Sequence, residues 1–438
     1  MVFKQLFDIT PRKAAPLTRA EIEPGLYHYM REVEGTGVRF HLRVDSTGNG
    51  LLLANAATAA RLRASGVVIA KGLLDGDDDR TIATRLRKCF RGVSTDGAAA
   101  DIDRVRGIIA ALETPGDNYP IINLTDPALT EQEAPLDRPL SADVPMAGID
   151  SMRPILERLW DLGIPHVTLV AGPDPNAEEL VLAVERAEDL GLITGVRGRG
   201  SMLAQGTLIA DLAAAGLDHL DVTLLSYDEK VHDALTAAGD HAKAVEAIRA
   251  ARENDVCPVA EIPLVAAVAP TIDETIEWLV EQGVGNAAIF AIATTEPASP
   301  EKEQPSDGPV SADALPRAAH WIDETADEHG LRLLCYPTVR HDPGKPLAEQ
   351  IAAGPRTSGD SAVRVEADGS AIPARGPYTP AGNLLADDWP AIRRGEVFQR
   401  YLRQLELDPA DPSTDDLARA AFCPRDPSRW AEPPAASQ

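Results

Sequence analysis

Cysteine is scarce in this chain. Only Cys89, Cys257, Cys335 and Cys423 occur among its 438 residues, and each lies far from the next. This spacing argues against a disulfide framework and against paired metal-ligand motifs, and it is typical of reduced thiols in a cytosolic protein. We therefore expect a cytoplasmic protein without a metal site.

Long apolar runs and an excess of basic residues are also lacking. The N-terminal sequence MVFKQLFDITPRK has no apolar stretch of signal-peptide length, and no window reaches the roughly 18 uninterrupted apolar residues of a membrane span. The chain carries 42 Lys and Arg against 68 Asp and Glu, so its formal charge of -26 repels nucleic-acid phosphates and anionic lipid. We expect neither nucleic acid nor a membrane as partner.

The first hundred residues change from strand patterns to helix patterns. Strand patterns cover 25–31, 38–44 and 51–54, and helical spacing of apolar residues covers 56–62, 80–90 and 101–112. Three strands followed by three helices predict a small winged-helix-like α+β module. We place it at residues 1–114, because the turn-rich segment TPGDNY begins at Thr114.

From residue 115 onward, strand and helix patterns alternate. Strands are predicted at 121–124, 166–170, 191–196, 219–225, 258–265, 287–292 and 331–335, and helices at 149–162, 177–189, 204–215, 240–253, 272–282 and 311–329. Such alternation predicts an α/β fold with a parallel sheet, here a partial (β/α)6 TIM-like barrel over residues 115–336. The strings DLGI, DLGL, AAGL and EQGV each fit a glycine that ends a helix just before a strand.

Beyond Tyr336 the alternation stops. The string VRVEADGSAIP at 363–373 predicts a hairpin around Asp368 and Gly369. We assign residues 337–438 to a third, smaller domain.

The order of these three parts is similar to that of peptide-modifying radical SAM enzymes, which have a PqqD-like winged-helix module, a partial barrel and a SPASM domain. The likeness spans roughly residues 20–430, and two local strings at 222–256 and 363–401 carry it. The matching positions are His232, Asp233 and Gly239 in the first string, and Gly382, Asn383, Trp389 and Phe398 in the second.

This resemblance implies a [4Fe–4S] cluster, held by C-x-x-x-C-x-x-C in the loop after the first barrel strand, with S-adenosylmethionine on its open iron. The loop that we match to it reads TDPALTEQEAPLDRPLSADVP and contains no cysteine. Carboxylates and prolines do not replace soft sulfur ligands. We therefore expect no cofactor, with neither a [4Fe–4S] cluster nor bound S-adenosylmethionine.

Two further family motifs are altered. The family's G-G-E-P reads Ala171, Gly172, Pro173 and Asp174, and its V-S-L-D-G reads Val222, Thr223, Leu224, Leu225 and Ser226. By resemblance, the candidate ligand-binding residues here are Ala171, Gly172, Asp174 and Thr223.

Three polar residues after another strand form a further candidate site. Arg197, Arg199 and Ser201 lie in GVRGRGSML, where cations and backbone N–H groups between glycines suit an anionic ligand. The alternative is a solvated turn. Glu261 lies in a strand that we expect to be buried, so its carboxylate is either functional or paired, and pairing with a barrel arginine is favoured.

The H-D pair invites a metal or acid–base hypothesis. His232, Asp233 and His241 lie close in sequence after a barrel strand, where sites usually form. The alternative, which we favour, is that these side chains cap the next helix.

Three functional hypotheses follow. The first is a non-catalytic, cluster-less radical SAM-like protein that binds a peptide substrate or an active maturation partner, with the 38–54 hairpin adding a peptide strand unless the chain's own barrel covers that edge. The second is a repurposed barrel enzyme that acts on a small anionic ligand through Arg197, Glu261 or His232. The third, least favoured, is an active radical SAM enzyme with an atypical cluster site.

Overall fold

The computed structural model describes residues 22–33, 36–55, 58–113, 138–172, 174–294, 308–311, 314–336, 338–354, 362–373 and 379–399. These residues fall into two compact units, the first formed by the chain up to residue 113 with 160–165, and the second by the remainder. The three-domain division of the sequence stays a prediction. Within the described residues, no helix is both long enough and apolar enough to cross a membrane.

The first unit is an antiparallel sheet packed against three helices. Its strands are β1 (Gly25–Val33), β2 (Thr36–Val44), β3 (Gly50–Ala54) and β4 (Thr58–Leu62), in the order β1-β2-β3-β4. Its helices are α1 (Ala64–Leu74), α2 (Asp79–Cys89) and α3 (Thr95–Glu113). Phe40, Leu42 and Leu52 from the sheet pack with Ile82 and Ile102 from the helices, and each is at most 1% exposed. The three predicted strands and the last two predicted helices are thus confirmed.

One prediction in this unit is wrong. The segment 56–62 was expected to be helical, but its described part forms β4, which pairs with β3 from Thr58 to Leu62. The helix begins only at Ala64. Pairing with β3 outweighs the weak helical preference of so short a segment.

The second unit is built on a parallel sheet. Its strands are β5 (Ser141–Pro145), β6 (His166–Val170), β7 (Ile193–Arg199), β8 (His219–Thr223), β9 (Cys257–Leu264), β10 (Asn286–Thr294), β11 (Val310–Ser311), β12 (Arg332–Cys335), β13 (Val339–Arg340), β14 (Ala362–Val365), β15 (Ser370–Pro373) and β16 (Gly382–Asn383). Strands β5 to β10 are parallel neighbours in chain order, which confirms the predicted α/β class. Strand β12 joins β10 and β14 joins β5, also in parallel.

Helices connect these strands. They are α4 (Ile149–Asp161), α5 (Ala177–Leu190), α6 (Gly200–Leu203), α7 (Leu208–Ala214), α8 (Glu229–Leu235), α9 (Asp240–Glu253), α10 (Ile272–Glu281), α11 (Leu315–His329), α12 (Leu347–Ala352) and α13 (Trp389–Arg394). Gly191 ends α5 with φ 85°, a left-handed conformation that suits glycine, so the predicted cap is confirmed there. The predicted hairpin is also confirmed, because β14 pairs antiparallel with β15.

The start of the barrel differs from the prediction. The proposed first strand, 121–124, lies outside the described residues, whereas the segment expected to be a loop, 129–144, contains the start of β5. Because β5 pairs along its length with β6, it takes the place of a first barrel strand. Only Met146, Ala147 and Gly148 then separate β5 from α4.

Candidate functional site

Four charged side chains from four strands meet inside the parallel sheet. Arg197 of β7 lies with Nη1 3.1 Å from Asp143 Oδ2, Nη2 3.6 Å from Asp221 Oδ2 and Nε 2.7 Å from Glu261 Oε2. Strands β5 and β9, which carry Asp143 and Glu261, are each two strands from β7, so the side chains meet on the concave face. Each residue is at most 7% exposed. We call these four residues the buried charge cluster.

The charges in this cluster are set by burial and by mutual attraction. Burial lowers the pKa of Arg197, but attraction to Asp143 and Glu261 outweighs it and holds that pKa well above its ordinary value. Burial raises the pKa of Glu261 to about 8, against the opposing effect of Arg197. At neutral pH the carboxyl group of Glu261 is therefore mostly protonated, while the guanidinium of Arg197 stays charged.

Glu261 is also incompletely satisfied. Its Oε1 and Oε2 are both buried without a hydrogen bond to any described residue, and only Oε2 has an ion-pair contact, with Arg197 Nε. The predicted pairing with a barrel arginine is confirmed, but it uses only one carboxyl oxygen. A buried polar atom without a hydrogen-bond partner lowers the stability of the fold by roughly 1–3 kcal/mol. Protonation of Glu261 or a hydrogen bond from another group to Oε1 would remove this cost.

A histidine pair extends the cluster towards the amino ends of the strands. His219 Nδ1 lies 2.8 Å from Asp221 Oδ1, and its Nε2 lies 2.8 Å from His166 Nε2. Burial raises the pKa of Asp221, but the charge and hydrogen bond of His219 outweigh burial and lower it overall. The His219 ring crosses β7 at Gly195, where a Cβ atom would lie 2.0 Å from the imidazole. Glycine at 195 is therefore required for this contact.

The remaining sequence-predicted residues lie around the carboxyl ends of the strands. Arg199 and Thr223 are register partners on β7 and β8, and Arg199 Nε is buried without a hydrogen-bond partner among the described residues. Ala171 and Gly172 follow β6, and Asp174 is exposed. A Cβ built on Gly172 would meet nothing within 4 Å, so there is open space beside it. Whether these residues bind a ligand stays a prediction.

Ser201 has a partner within the chain. Its backbone N–H donates to Asp240 Oδ1 at 2.8 Å, and the other carboxyl oxygen of Asp240 lies 3.1 Å from His232 Nε2. The backbone N–H of Ser201 is thus used by a carboxylate of the protein, and ligand binding by Ser201 stays a prediction.

The capping interpretation of the H-D pair is confirmed. Asp233 accepts hydrogen bonds from the backbone N–H groups of Gly239 at 2.6 Å and His241 at 3.0 Å, at the start of α9. His232 is fully buried and accepts from the backbone N–H of Leu225 at 3.1 Å. These residues join β8, α8 and α9, and within the described residues no group of three or more ligand-type side chains suits a metal ion.

The described thiols do not fit an iron–sulfur cluster. Cys89 is buried in the first unit. Cys257 begins β9, at the opposite end of the strand from the usual site, and burial raises its pKa to about 12, which keeps it protonated. Clusters are held by thiolates, so these two side chains do not supply the ligands.

The first unit contains a groove beside its edge strand. Among the described strands, β1 pairs only with β2, and β4 only with β3, so the 38–54 hairpin is internal to the sheet and the prediction of an edge there is wrong. A cavity of about 500 Å³ lies between β1, α1 and α3, which we call the β1 groove. It is lined by Arg31, Glu32, Val33, Leu73, Arg106, Ile109, Ala110 and Glu113.

Sequence reasoning missed Asp143, Asp221, His219 and His166. The signal was present in HLDVT, because alternation along a strand places His219, Asp221 and Thr223 on one face. Polar residues at every second position of a strand that is buried on both faces indicate a polar barrel interior.

Comparison with known proteins gives a fold likeness. No protein-family model matches the chain, and no curated protein matches it. The crystal structure of Streptococcus suis SuiB bound to S-adenosylmethionine is similar at 11% identity and a TM-score of 0.53, over 85% of this chain and 90% of that chain. SuiB bound to the precursor peptide SuiA is similar at 11% identity and a TM-score of 0.50, over 90% and 100%. The chain thus shares the overall fold of SuiB, while the PqqD-like and SPASM-like details stay predictions.

This likeness corrects one expectation. From the sequence we expected no cofactor, meaning no [4Fe–4S] cluster and no S-adenosylmethionine. The same fold in SuiB binds S-adenosylmethionine, so the expectation of a barrel without a cofactor is wrong as a statement about the fold.

Proposed function

We propose that this protein is a peptide-binding component of a peptide-modification system, and that it acts by holding an extended peptide in the β1 groove rather than by catalysis. One observation carries the proposal. Strand β1 is nine residues long and forms the edge of its described sheet, and its last three residues, 31–33, line a cavity of about 500 Å³. Its partner is a peptide substrate or an active radical SAM-type protein that uses the same peptide.

The chemistry of the groove supports an extended peptide. An edge strand offers backbone hydrogen bonds to an added strand, and pockets beside it read alternate side chains. Val33, Leu73, Ile109 and Ala110 supply apolar surface, and charged side chains line the rest. Arg31 and Glu113 pair with each other at 2.6 Å across the groove, so they shape its wall without an added ligand. In the similar SuiB structure, the bound molecule is a precursor peptide.

The barrel interior gives less support to an enzyme acting on a small anion. Arg197, the cation nominated for that role, is buried among three carboxyl groups. An anion brought to this place would meet the carboxyl groups of Asp143, Asp221 and Glu261 as well as the guanidinium. We therefore favour binding in the first unit over anion chemistry in the second.

A substitution that fills the β1 groove but leaves the hydrophobic core of the first unit unchanged tests this function. Ala110 lies on the exposed face of α3, so Ala110→Trp places an indole in the cavity. Peptides are selected from a random 12-residue library on the full chain, and fluorescence anisotropy then measures their affinities. We expect Ala110→Trp to weaken binding about tenfold or more, since a filled pocket loses its apolar anchor.

Ala100→Trp is the matched control, because Ala100 is an exposed position on the same helix outside the groove. It should bind as the unaltered chain does. Selected peptides that bind the Ala110→Trp variant equally well would refute this function.

A second ligand site has support of its own. We infer that S-adenosylmethionine binds at the carboxyl ends of β6 to β8, with Arg199 holding its carboxylate near Thr223 and Gly172. The support is the buried Arg199 Nε that lacks a described partner, beside the open space at Gly172. When bound, this molecule would supply a sulfonium centre at the barrel mouth.

A thermal-shift titration with S-adenosylmethionine tests this site. Ligand at a hundredfold excess over Kd should stabilise the protein by about 2.7 kcal/mol and raise its Tm. Arg199→Ala should weaken the affinity about tenfold, because it removes a charge-assisted hydrogen bond. Arg249→Ala, at an exposed position of α9, is the control and should bind normally. No shift with the unaltered chain would exclude this ligand.

A further inference from the structure

A segment of the chain lies at the carboxyl end of the sheet, with one face buried and the other exposed. Gln350, Ile351 and Gly354 are buried, whereas Ala348, Glu349 and Ala352 are exposed. Strand β13 pairs with Ile292 and Ala293 near the carboxyl end of β10, so the chain leaves the sheet on the side where barrel sites form. The helix α12 follows, and Gly354 lies two residues beyond its end. We call residues 347–354 the inner segment.

Gly354 reaches the buried charge cluster. A Cβ atom built on Gly354 would lie 3.4 Å from Arg197 Cδ and 3.5 Å from Glu261 Oε1. Gly354 is itself buried and has φ 71°, a left-handed conformation that glycine adopts without strain. The backbone therefore packs directly against the side chains that face into the barrel, including the carboxyl oxygen that lacks a described partner.

The entrance of the inner segment is anchored by one buried amide. Gln350 is 7% exposed, and its Oε1 accepts from the N–H of Asp342 at 2.8 Å. Its Nε2 donates to the carbonyl oxygens of Asp342 and Lys345, each at 3.0 Å. Three hydrogen bonds from one side chain hold the turn at 342–345 against α12.

We propose that the inner segment is a built-in occupant of the barrel, which blocks access to Arg197 and Glu261 and must be displaced before another ligand reaches them. The place it fills suits a peptide backbone with a small residue, because any side chain at position 354 points at the Arg197–Glu261 pair. The ligand class is thus a peptide with glycine or another small residue at the position that contacts Arg197 and Glu261. The inference rests on the proposed function in that a peptide is the competitor.

The first experiment replaces residues 347–354 in the full chain by an eight-residue Gly-Ser linker. We expect a folded barrel with a lower Tm. A synthetic peptide of residues 346–354, PLAEQIAAG, should bind this variant saturably and raise its Tm by roughly 5 °C at a hundredfold excess over Kd. The same peptide with Gly354→Leu should not bind. Absence of saturable binding by the unaltered peptide to the folded variant would overturn the proposal.

Adding Ala110→Trp to the linker variant separates this proposal from binding in the β1 groove. If the barrel is the binding site, the peptide should raise the Tm of this doubly altered chain as much as it raises the Tm of the linker variant. If the peptide no longer raises the Tm of the doubly altered chain, the inner-segment proposal is overturned, while peptide binding in the β1 groove is not. If no library peptide binds in the β1 groove, the rise in Tm of the linker variant should be unchanged.

If the linker variant does not fold, amide hydrogen exchange measured on the full chain tests the proposal instead. Gly354→Leu should raise amide exchange at 350–354 about tenfold, with exchange in β7 and β9 unchanged. Gly330→Leu is the control, because Gly330 has the same φ of 71° but nothing within 4 Å of its Cβ position. Equal exchange at 350–354 in both variants would contradict a packed occupant.

Discussion

At the residue scale, Glu261 shows how far sequence reasoning reaches. A carboxylate in a strand buried on both faces has to be paired, which predicted an arginine partner. The sequence did not identify the partner as Arg197, nor Asp143 as a further carboxylate, because these contacts join strands that are two apart in the sheet. Long-range meetings of this kind depend on strand order and barrel curvature.

The raised pKa of Glu261 predicts a pH-dependent stability. The folded-state pKa of about 8 lies above the ordinary 4.5, so the contribution of this group is fully present below pH 4.5 and is lost as pH rises through 8. Glu261→Gln removes the ionisation, so the unfolding free energy of the variant relative to that of the unaltered chain should rise by about 3 kcal/mol between pH 5.5 and pH 8. Denaturant unfolding at the two pH values measures this difference.

Glu274→Gln, an exposed position on α10, serves as the reference substitution. Its difference from the unaltered chain should stay nearly constant over the same range. A flat difference for Glu261→Gln as well would mean that Glu261 is ionised in the folded protein at pH 5.5.

At the element scale, close packing across β7 fixes the arrangement of three strands. Gly195 lies under the His219 ring, which bridges β8 to His166 on β6. The alternation of HLDVT predicts that His219 and Asp221 share a face, but no local pattern shows that a glycine on the neighbouring strand makes room for the ring. Element boundaries failed for a related reason at β4 and β5, where partner strands decide the conformation.

Gly195→Ala should therefore be strongly destabilising. A Cβ 2.0 Å from the imidazole cannot be accommodated unless His219 or a strand moves, which should cost about 3 kcal/mol or more in unfolding free energy. Gly285→Ala, with nothing within 4 Å of its Cβ position, should change stability by less than about 1 kcal/mol.

The double variant Gly195→Ala with His219→Ala tests the cause. Removing the ring should relieve the clash, so the two substitutions should cost less together than the sum of their separate effects. Strict additivity would show that the glycine serves another purpose.

At the scale of the whole molecule, the order of strands and helices was the strongest sequence signal. It predicted the α/β class and the resemblance to radical SAM enzymes, and the likeness to SuiB supports the same fold over most of the chain. The expectation of no cofactor was wrong because the absence of cysteine from one loop was taken to exclude every cofactor from the fold. The placement of that loop was itself displaced, since β5 lies within it.

The pairing of β14 with β5 has a consequence for biosynthesis. Strand β5 opens the parallel sheet in chain order, yet its outer neighbour is translated only after every other strand of the barrel. Among the described strands, only β14 pairs with that side of β5, so until then this edge lacks its described partner. Unpaired strand edges recruit foreign chains. Ribosome-bound or prematurely terminated products that stop before Ala362 should accordingly depend on chaperones.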